Sequence, residues 1–510
     1  VDGTMGERRT AITDAVREAV SARRWGAVVL LLEHNWSVLI AEDLPLLRDT
    51  IVSLPDEVRR AQPRWEAAGA YVAHLMSSSG SAVAYRDVAP RTGAEGGLLD
   101  ILTELTSRTA GRRSAGRLDE ATQAARLARE ALDGAPDAER VAVQYSLPHL
   151  MVQWGRSHEL VGDERSALVE YTEAHDLGVI TGDAVITSHA AGRIAWVHAV
   201  AGRRLPAEQW LDRIDETASV PLRYRTGEIL ARALLAADVV DFAAARRHLD
   251  SLGDQPHPDS WAEQLFVRSL VARPSEVHDV LRESQQHAVS KPTALSSRGM
   301  DAGYLALSLV RVRVLERRPL RALADLTDLA PSGSGGGTRS SVMLELATAF
   351  AEAAQGDATS ALRRARSVAR RASARPRWCA MADLLLAVLR EEPDDRMREA
   401  AMPAVADRQL LALQVLPTRI LATLGLPARE LQALLALAGS REPSPTGALT
   451  PRERTVLAHL VRGETTEGIA SALFVSPNTV KTQLRSIYRK LGVTRRDEAV
   501  EIARDLHLEP

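Results

Sequence analysis

From about Ala11 to Ala438 the apolar residues recur at spacings of three and four, and nowhere does strict alternation run long enough to make a strand. The pattern predicts one helix after another, and the abundant Ala, Leu and Arg agree with it. Several of these helices open on one phrase, a glycine turn leading into an Ala-rich run. It occurs at Gly116-Arg117-Leu118-Asp119-Glu120-Ala121, Gly162-Asp163-Glu164-Arg165-Ser166-Ala167, Gly202-Arg203-Arg204-Leu205-Pro206-Ala207 and Gly356-Asp357-Ala358-Thr359-Ser360-Ala361. Gly116 and Gly162 stand 46 residues apart, Gly162 and Gly202 stand 40 apart. The stretch between Gly202 and Gly356 leaves room for about four more units, with Asp241-Phe242-Ala243-Ala244 and Pro319-Leu320-Arg321-Ala322 as degenerate members.

A period near 40 residues is that of a helical hairpin repeat of the tetratricopeptide kind. One hairpin cannot bury its apolar face alone, so hairpins stack, and the concave side of the stack becomes a binding surface. The expected fold class is all-α, with a tetratricopeptide-like helical-repeat solenoid over residues 1–438; the alternative is an irregular helical bundle. Breaks fall at Ser77 to Ser81, Pro90 to Gly97 and Pro331 to Gly337, and they read as loops. A longer Pro, Ser and Gly stretch, residues 439–448, reads as a tether of about 15 to 20 Å, so that 449–510 is expected to fold as a separate unit.

In that last segment the pattern changes to four short helices. Thr450-Pro451-Arg452-Glu453 is a capping box with Pro at the first helical position, followed by Val456, Leu457 and Leu460 and a stop at Gly463. A second helix starts at Thr465 or Thr466 and buries Ile469, Ala470 and Leu473. Val475-Ser476-Pro477-Asn478 then makes a turn with a Ser cap. The third helix, Pro477 to Leu491, buries Val480, Leu484, Ile487 and Leu491 and ends at Gly492; a fourth opens at Thr494. Two short helices joined by a tight turn, the second longer and polar outside, are a helix-turn-helix.

Charge sharpens this picture. Lys plus Arg is 64 against 66 for Asp plus Glu, a net charge of −2, which excludes a generally basic coat for nucleic acid. The balance is an average: residues 446–510 carry ten cations and eight acids, leaving the remainder at −4. From Gly468 through Arg496 there is no acid, while Lys481, Arg485, Arg489, Lys490, Arg495 and Arg496 all fall there. Such a window on a helix-turn-helix is the footprint of DNA. Lys291, Lys481 and Lys490 are the only lysines, and the Arg and Ala bias suggests a GC-rich bacterial genome.

Leu449-Thr450, Arg452-Glu453, Val456-Leu457, Gly463, Ile469-Ala470, the run Leu473 to Thr482, Ile487 to Val493 and Arg496, Glu498, Ala499, Val500 together resemble the DNA-binding domain of LuxR-family transcription factors. The resemblance covers nearly all of 449–504. It implies that Lys481, Thr482 and Arg485 meet base edges in the major groove and that Ser476, Asn478, Thr479, Arg489 and Lys490 hold phosphates. It further implies that the fourth helix, through Ala499, Val500, Ile502 and Ala503, pairs two subunits on promoter DNA. RNA polymerase or another protein is then a partner, and a small-molecule or protein effector is expected on the solenoid. Four positions depart from the family pattern: Gly468 stands for the usual Glu, Thr465-Thr466 for Ser-Asn, and Gln483, a milder change, for a frequent His. Residues from Arg24-Trp25 through Leu54 to Arg64 resemble the start of the helical sensor of the large MalT-like members. Those carry an upstream ATPase, and this chain begins after it, as a natural short form or from a displaced start.

Chemistry of other kinds finds little support. The Gly-rich Pro331 to Gly337 lacks the Gly-Lys-Ser/Thr of a phosphate loop, which disfavours an ATP-dependent switch. His158-Glu159 has Gly162 where a second metal-binding His would stand, and no Gly-x-Ser-x-Gly elbow occurs. No catalytic residue, metal or cofactor is expected. A single Cys, Cys379, and apolar runs no longer than Trp25 to Leu32 or Leu431 to Ala438 fit a cytoplasmic protein without a membrane span. The expected function is sequence-specific DNA binding by a dimeric transcriptional regulator under control of the helical repeats. The alternative is an adaptor built on the solenoid, with a vestigial DNA domain signalled by Gly468.

Overall fold

A computed structural model describes residues 2–76, 97–215, 220–253, 260–273, 275–290, 299–315, 319–329, 341–439, 449–491, 493 and 495–505. Every regular element among them is helical. Six helices come first: α1 Asp2–Ser21, α2 Trp25–His34, α3 Trp36–Glu42, α4 Leu44–Ser53, α5 Asp56–Ala61 and α6 Arg64–Met76. Hairpins follow, α7 Leu98–Ser114 with α8 Leu118–Asp133 and, after the short α9 Asp137–Ala142, α10 Leu147–Leu160 with α11 Glu164–Thr181. Next come α12 Ala184–Ala201 with α13 Arg204–Leu211, α14 Leu222–Asp238 with α15 Phe242–Asp250, and α16 Trp261–Val271 with α17 Val277–Ser290. The last hairpins are α18 Met300–Leu315 with α19 Pro319–Leu329, α20 Val342–Ala354 with α21 Ala358–Arg371, and α22 Pro376–Leu389 with α23 Asp394–Ala406. A 3-10 turn at Leu410–Val415, α24 Thr418–Leu421 and α25 Ala428–Gly439 close this region. Of the expected tether, Gly439 belongs to α25 and residues 440–448 lie outside the described residues; so do the expected loops, apart from Gly97 ahead of α7.

The glycine phrase has a local cause. Gly116, Gly162, Gly202 and Gly356 have φ of 71°, 77°, 86° and 81°, the left-handed region where a side chain is strained, and each lies between the two helices of a hairpin. At Gly162 the chain closes as a helix-ending motif: its N–H donates to Glu159 and the Asp163 N–H donates to His158. The next acid then caps the second helix, as Asp163 does for Ser166 and Asp357 for Ser360. The degenerate member keeps the geometry with Val240 at φ 55° in place of glycine, and Asp241 still caps Ala244.

The first helix of each hairpin from α10 to α22 packs on the first helix of the next. At the α12–α14 crossing the backbones touch: a Cβ on Gly192 would stand 2.8 Å from the Glu228 nitrogen, and one on Gly227 would stand 2.9 Å from the Gly192 carbonyl carbon. Trp154, Trp196 and Trp378 are fully buried between helices, as core side chains. Charged residues are buried too. Glu263 on α16 accepts from Arg156 of α10 at 2.6 Å and from Arg193 of α12 at 2.9 and 3.0 Å. Glu159 takes the other side of Arg193 and the Tyr171 hydroxyl, at 2.6 Å. Arg377 on α22 forks onto Asp238 of α14 at 2.5 and 2.6 Å and donates to the Ala199 and Val200 carbonyls at the end of α12. These contacts tie hairpins that are far apart in the chain. No helix among the described residues is long and apolar enough to cross a membrane.

Candidate nucleic-acid interface

The last four helices are α26 Pro451–Val461, α27 Thr466–Ala472, α28 Pro477–Leu491 and α29 Arg496–Asp505. Their apolar core is drawn from residues 449–503, with Val456, Leu460, Ile469, Val480 and Ile487 all at 0% exposure. The capping box forms: the Glu453 N–H donates to the Thr450 hydroxyl at 3.2 Å, and the Thr450 N–H donates to the Glu453 carboxylate at 2.7 Å. Glu453 is itself buried and also accepts from the Ser486 hydroxyl at 2.7 Å. One carboxylate thus starts α26 and fastens α28 to it. Gly463 turns the chain at φ 81°, and Thr465 caps α27 by accepting from the Gly468 N–H at 3.1 Å. A Cβ on Gly468 would meet only ordinary contacts, the nearest at 3.4 Å. The departure from the family pattern there costs helix propensity and leaves the packing intact.

Between α27 and α28 the chain turns on Phe474, at φ 52° and 95% exposed, where the Val475 N–H donates back to Ala470 at 3.0 Å. Reading the residues missed this position, because helix endings of this kind ordinarily carry Gly or Asn and a phenylalanine gives no such signal. Ser476 then caps α28, accepting from the Thr479 N–H at 3.1 Å and sharing a hydrogen bond with its hydroxyl at 2.8 Å. The inner face of α28 buries Val480, Leu484, Ile487 and Leu491. Its outer face exposes Asn478, Lys481, Thr482 and Arg485, and the Thr482 hydroxyl donates to the Asn478 carbonyl at 3.0 Å.

The six cations of the acid-free window do not share one fate. Lys481 and Arg485 stand on the outer face of α28. Arg495 pairs with Asp497 at 3.4 Å, and Arg496 donates to the Glu464 carbonyl at 2.6 Å, fastening the start of α29 to the turn after α26. The side chains of Arg489 and Lys490 lie outside the described residues. The absence of nearby acids in sequence is a weak guide by itself. Residues 358–382 form a second acid-free window with seven arginines, yet Arg364 pairs with Glu352, Arg371 with Glu345, Arg375 with Glu164 and Arg377 with Asp238. Acids outside that window thus pair four of its seven arginines.

The fourth helix requires a correction. Ala499 and Ala503, expected at a subunit contact, are both at 0% exposure in the core beneath α26 and α28, so they have no surface to offer a partner. Val500 is half-buried, and the side chain of Ile502 lies outside the described residues. Among the described residues no cluster of three His, Cys, Asp or Glu could hold a metal ion. Burial and the neighbouring Asp383 push the Cys379 thiol up to about 11, which makes it a poor nucleophile.

Residues 447–503 match the family model of the bacterial regulatory proteins of the luxR family. The chain carries a LuxR-type helix-turn-helix domain. That domain is the DNA-binding part of a transcription regulator, and it stands at the C-terminal end of a helical protein. No solved structure matches the chain.

Proposed function

We propose that the chain is a sequence-specific regulator of transcription that lays α28 in the major groove of double-stranded promoter DNA. The observation that carries this reading is the outer face of α28: Lys481, Thr482 and Arg485 are exposed on a helix whose other face is anchored in the core. These three would contact base edges, while Ser476, Asn478 and Thr479 at the start of the helix, with Arg489 and Lys490, would hold phosphates. The N-terminal end of a helix with no acid in its first turn suits a phosphate, since the positive end of the helix dipole faces it. Two copies would pair through α29 by Val500 and Ile502 on a two-fold site. Residues 1–438, read as tetratricopeptide-like repeats, would act as the sensor, 439–448 as the tether and 449–510 as the reader, working in the cytoplasm with RNA polymerase or another protein.

The test is selection of bound duplexes from a random pool, followed by gel shifts on the selected site. Lys481→Ala with Arg485→Ala should erase the preference for that site over scrambled DNA, a loss of about 1–3 kcal/mol per base contact. Arg489→Ala should weaken all sequences alike and lower the salt dependence by about one phosphate. Undiminished discrimination by the double variant removes the base-reading assignment.

A further inference from the structure

His149 on α10 is the most unusual buried polar side chain among the described residues. It is 7% exposed, and neither Nδ1 nor Nε2 finds a hydrogen-bond partner among the described residues. Buried polar groups almost always find partners, so two unmet nitrogens on one ring call for a physical account. The ring lines a cavity of about 90 Å³ between α2, α3, α6, α7 and α10. Its walls are Trp36, Tyr71, Leu99, Ala110 and Leu150. Trp36 and Tyr71 stand edge-on to the imidazole, with centroids 6.3 and 6.2 Å away and planes crossing at 80° and 72°.

Arg64 and Thr106, which also line the cavity, are already engaged. Arg64 is neutralised by Glu33, at 3.0 Å, and by Asp100, at 2.9 Å. Thr106 accepts from the Trp154 indole at 2.7 Å and donates to the Leu102 carbonyl at 2.7 Å. No unpaired cation is therefore left over for an anionic ligand. Burial lowers the His149 imidazole to about 4, so at neutral pH it offers one N–H donor and one bare nitrogen acceptor. The walls are apolar and aromatic. At about 30 Å³ per water the cavity holds about three waters, so a single flat ring is the most it takes.

The geometry points to a binding site for a small uncharged phenol-type ligand, its ring between Trp36, Tyr71 and Leu150 and its hydroxyl on an imidazole nitrogen of His149. Such a ligand would be an effector of the regulator, and that role rests on the DNA-binding reading above; the binding itself does not.

The probes are p-cresol, toluene and benzoate, titrated calorimetrically into the full chain. One p-cresol should bind per chain, toluene about ten-fold more weakly for want of the hydroxyl, and benzoate not at all, because its charge has no partner. His149→Phe should bring p-cresol down to the level of toluene while leaving toluene unchanged. Ala110→Leu, which keeps the imidazole and removes the space, should abolish both, with helical content checked by circular dichroism. Equal affinity of the wild type for p-cresol and toluene, binding of benzoate, no binding of p-cresol at millimolar concentration, or p-cresol affinity unaltered in both variants would each overturn the site. Gel shifts on the same preparations separate the two readings. Loss of DNA binding with p-cresol binding intact removes the regulator, and the reverse result removes the pocket.

Discussion

Glu263 offers the sharpest energetic test of how the helical region holds together. It is 0% exposed and is shared by Arg156 and Arg193, whose guanidiniums are also buried. With Glu159 the four charges sum to zero, and Glu263→Gln leaves two cations against one carboxylate at nearly constant volume. Two charge-assisted contacts are lost, each about 1.5–3 kcal/mol, and breaking a buried pair costs about 3–5 kcal/mol. An expected loss of about 4 kcal/mol corresponds to roughly 8–16 °C for a cooperative unit of 150 to 250 residues. Thermal unfolding followed by circular dichroism at 222 nm measures it. Adding Arg193→Met removes the stranded cation and should restore part of the loss, because Arg156 and Glu159 are again balanced. The pH dependence has a defined sign. Burial alone would raise the Glu263 carboxyl, but Arg156 and Arg193 outweigh it and hold it well below the usual range. Its contribution is complete above about pH 4.3, the ordinary value for Glu, and is lost as the pH falls toward its native value. The gap between wild type and Glu263→Gln should therefore shrink below that pH. A shift of under about 3 °C at pH 7, or no recovery with Arg193→Met, would refute the reasoning.

Two further outcomes follow from single side chains. Phe474→Gly should stabilise the helix-turn-helix domain by about 1 kcal/mol, since the residue is strained in the left-handed region and buries almost nothing; urea unfolding of the wild type and variant checks it. His149, held at about 4 against about 6.5 when unfolded, should cost the wild type roughly 3 kcal/mol as the pH falls from 6.5 to 4, because the unfolded chain takes up the proton first. His149→Phe should lack that part of the decline in a pH series of melts.

The readability of the chain varies with the range of the interactions involved. The hairpin turns were legible because a glycine at φ near +80° and, at Gly162 and Gly356, the acid beside it act within a few residues. The same holds for α28, whose span Pro477–Leu491 and buried Val480, Leu484, Ile487 and Leu491 agree with the expected helix. Phe474 was opaque because its strain comes from backbone geometry that its side chain does not advertise. The acid-free window of 358–382 is as basic in sequence as the reading helix, and Glu164, Asp238, Glu345 and Glu352 pair four of its seven arginines from other helices.

By itself, then, the sequence determined the helices, many of their caps and turns and the type of the last domain, whose signals lie in backbone hydrogen bonds and side-chain spacing within about ten residues. Only the tertiary structure decided which charges stay free and which are consumed. Arg156 meets Glu263 across 107 positions, Arg496 is spent on the Glu464 carbonyl, and Ala499 and Ala503 turn into the core rather than toward a partner. The cavity at His149 is of the same kind, since five helices contribute its walls and none of them carries the site alone. Burial and charge pairing are properties of surfaces brought together by packing, so no local pattern encodes them.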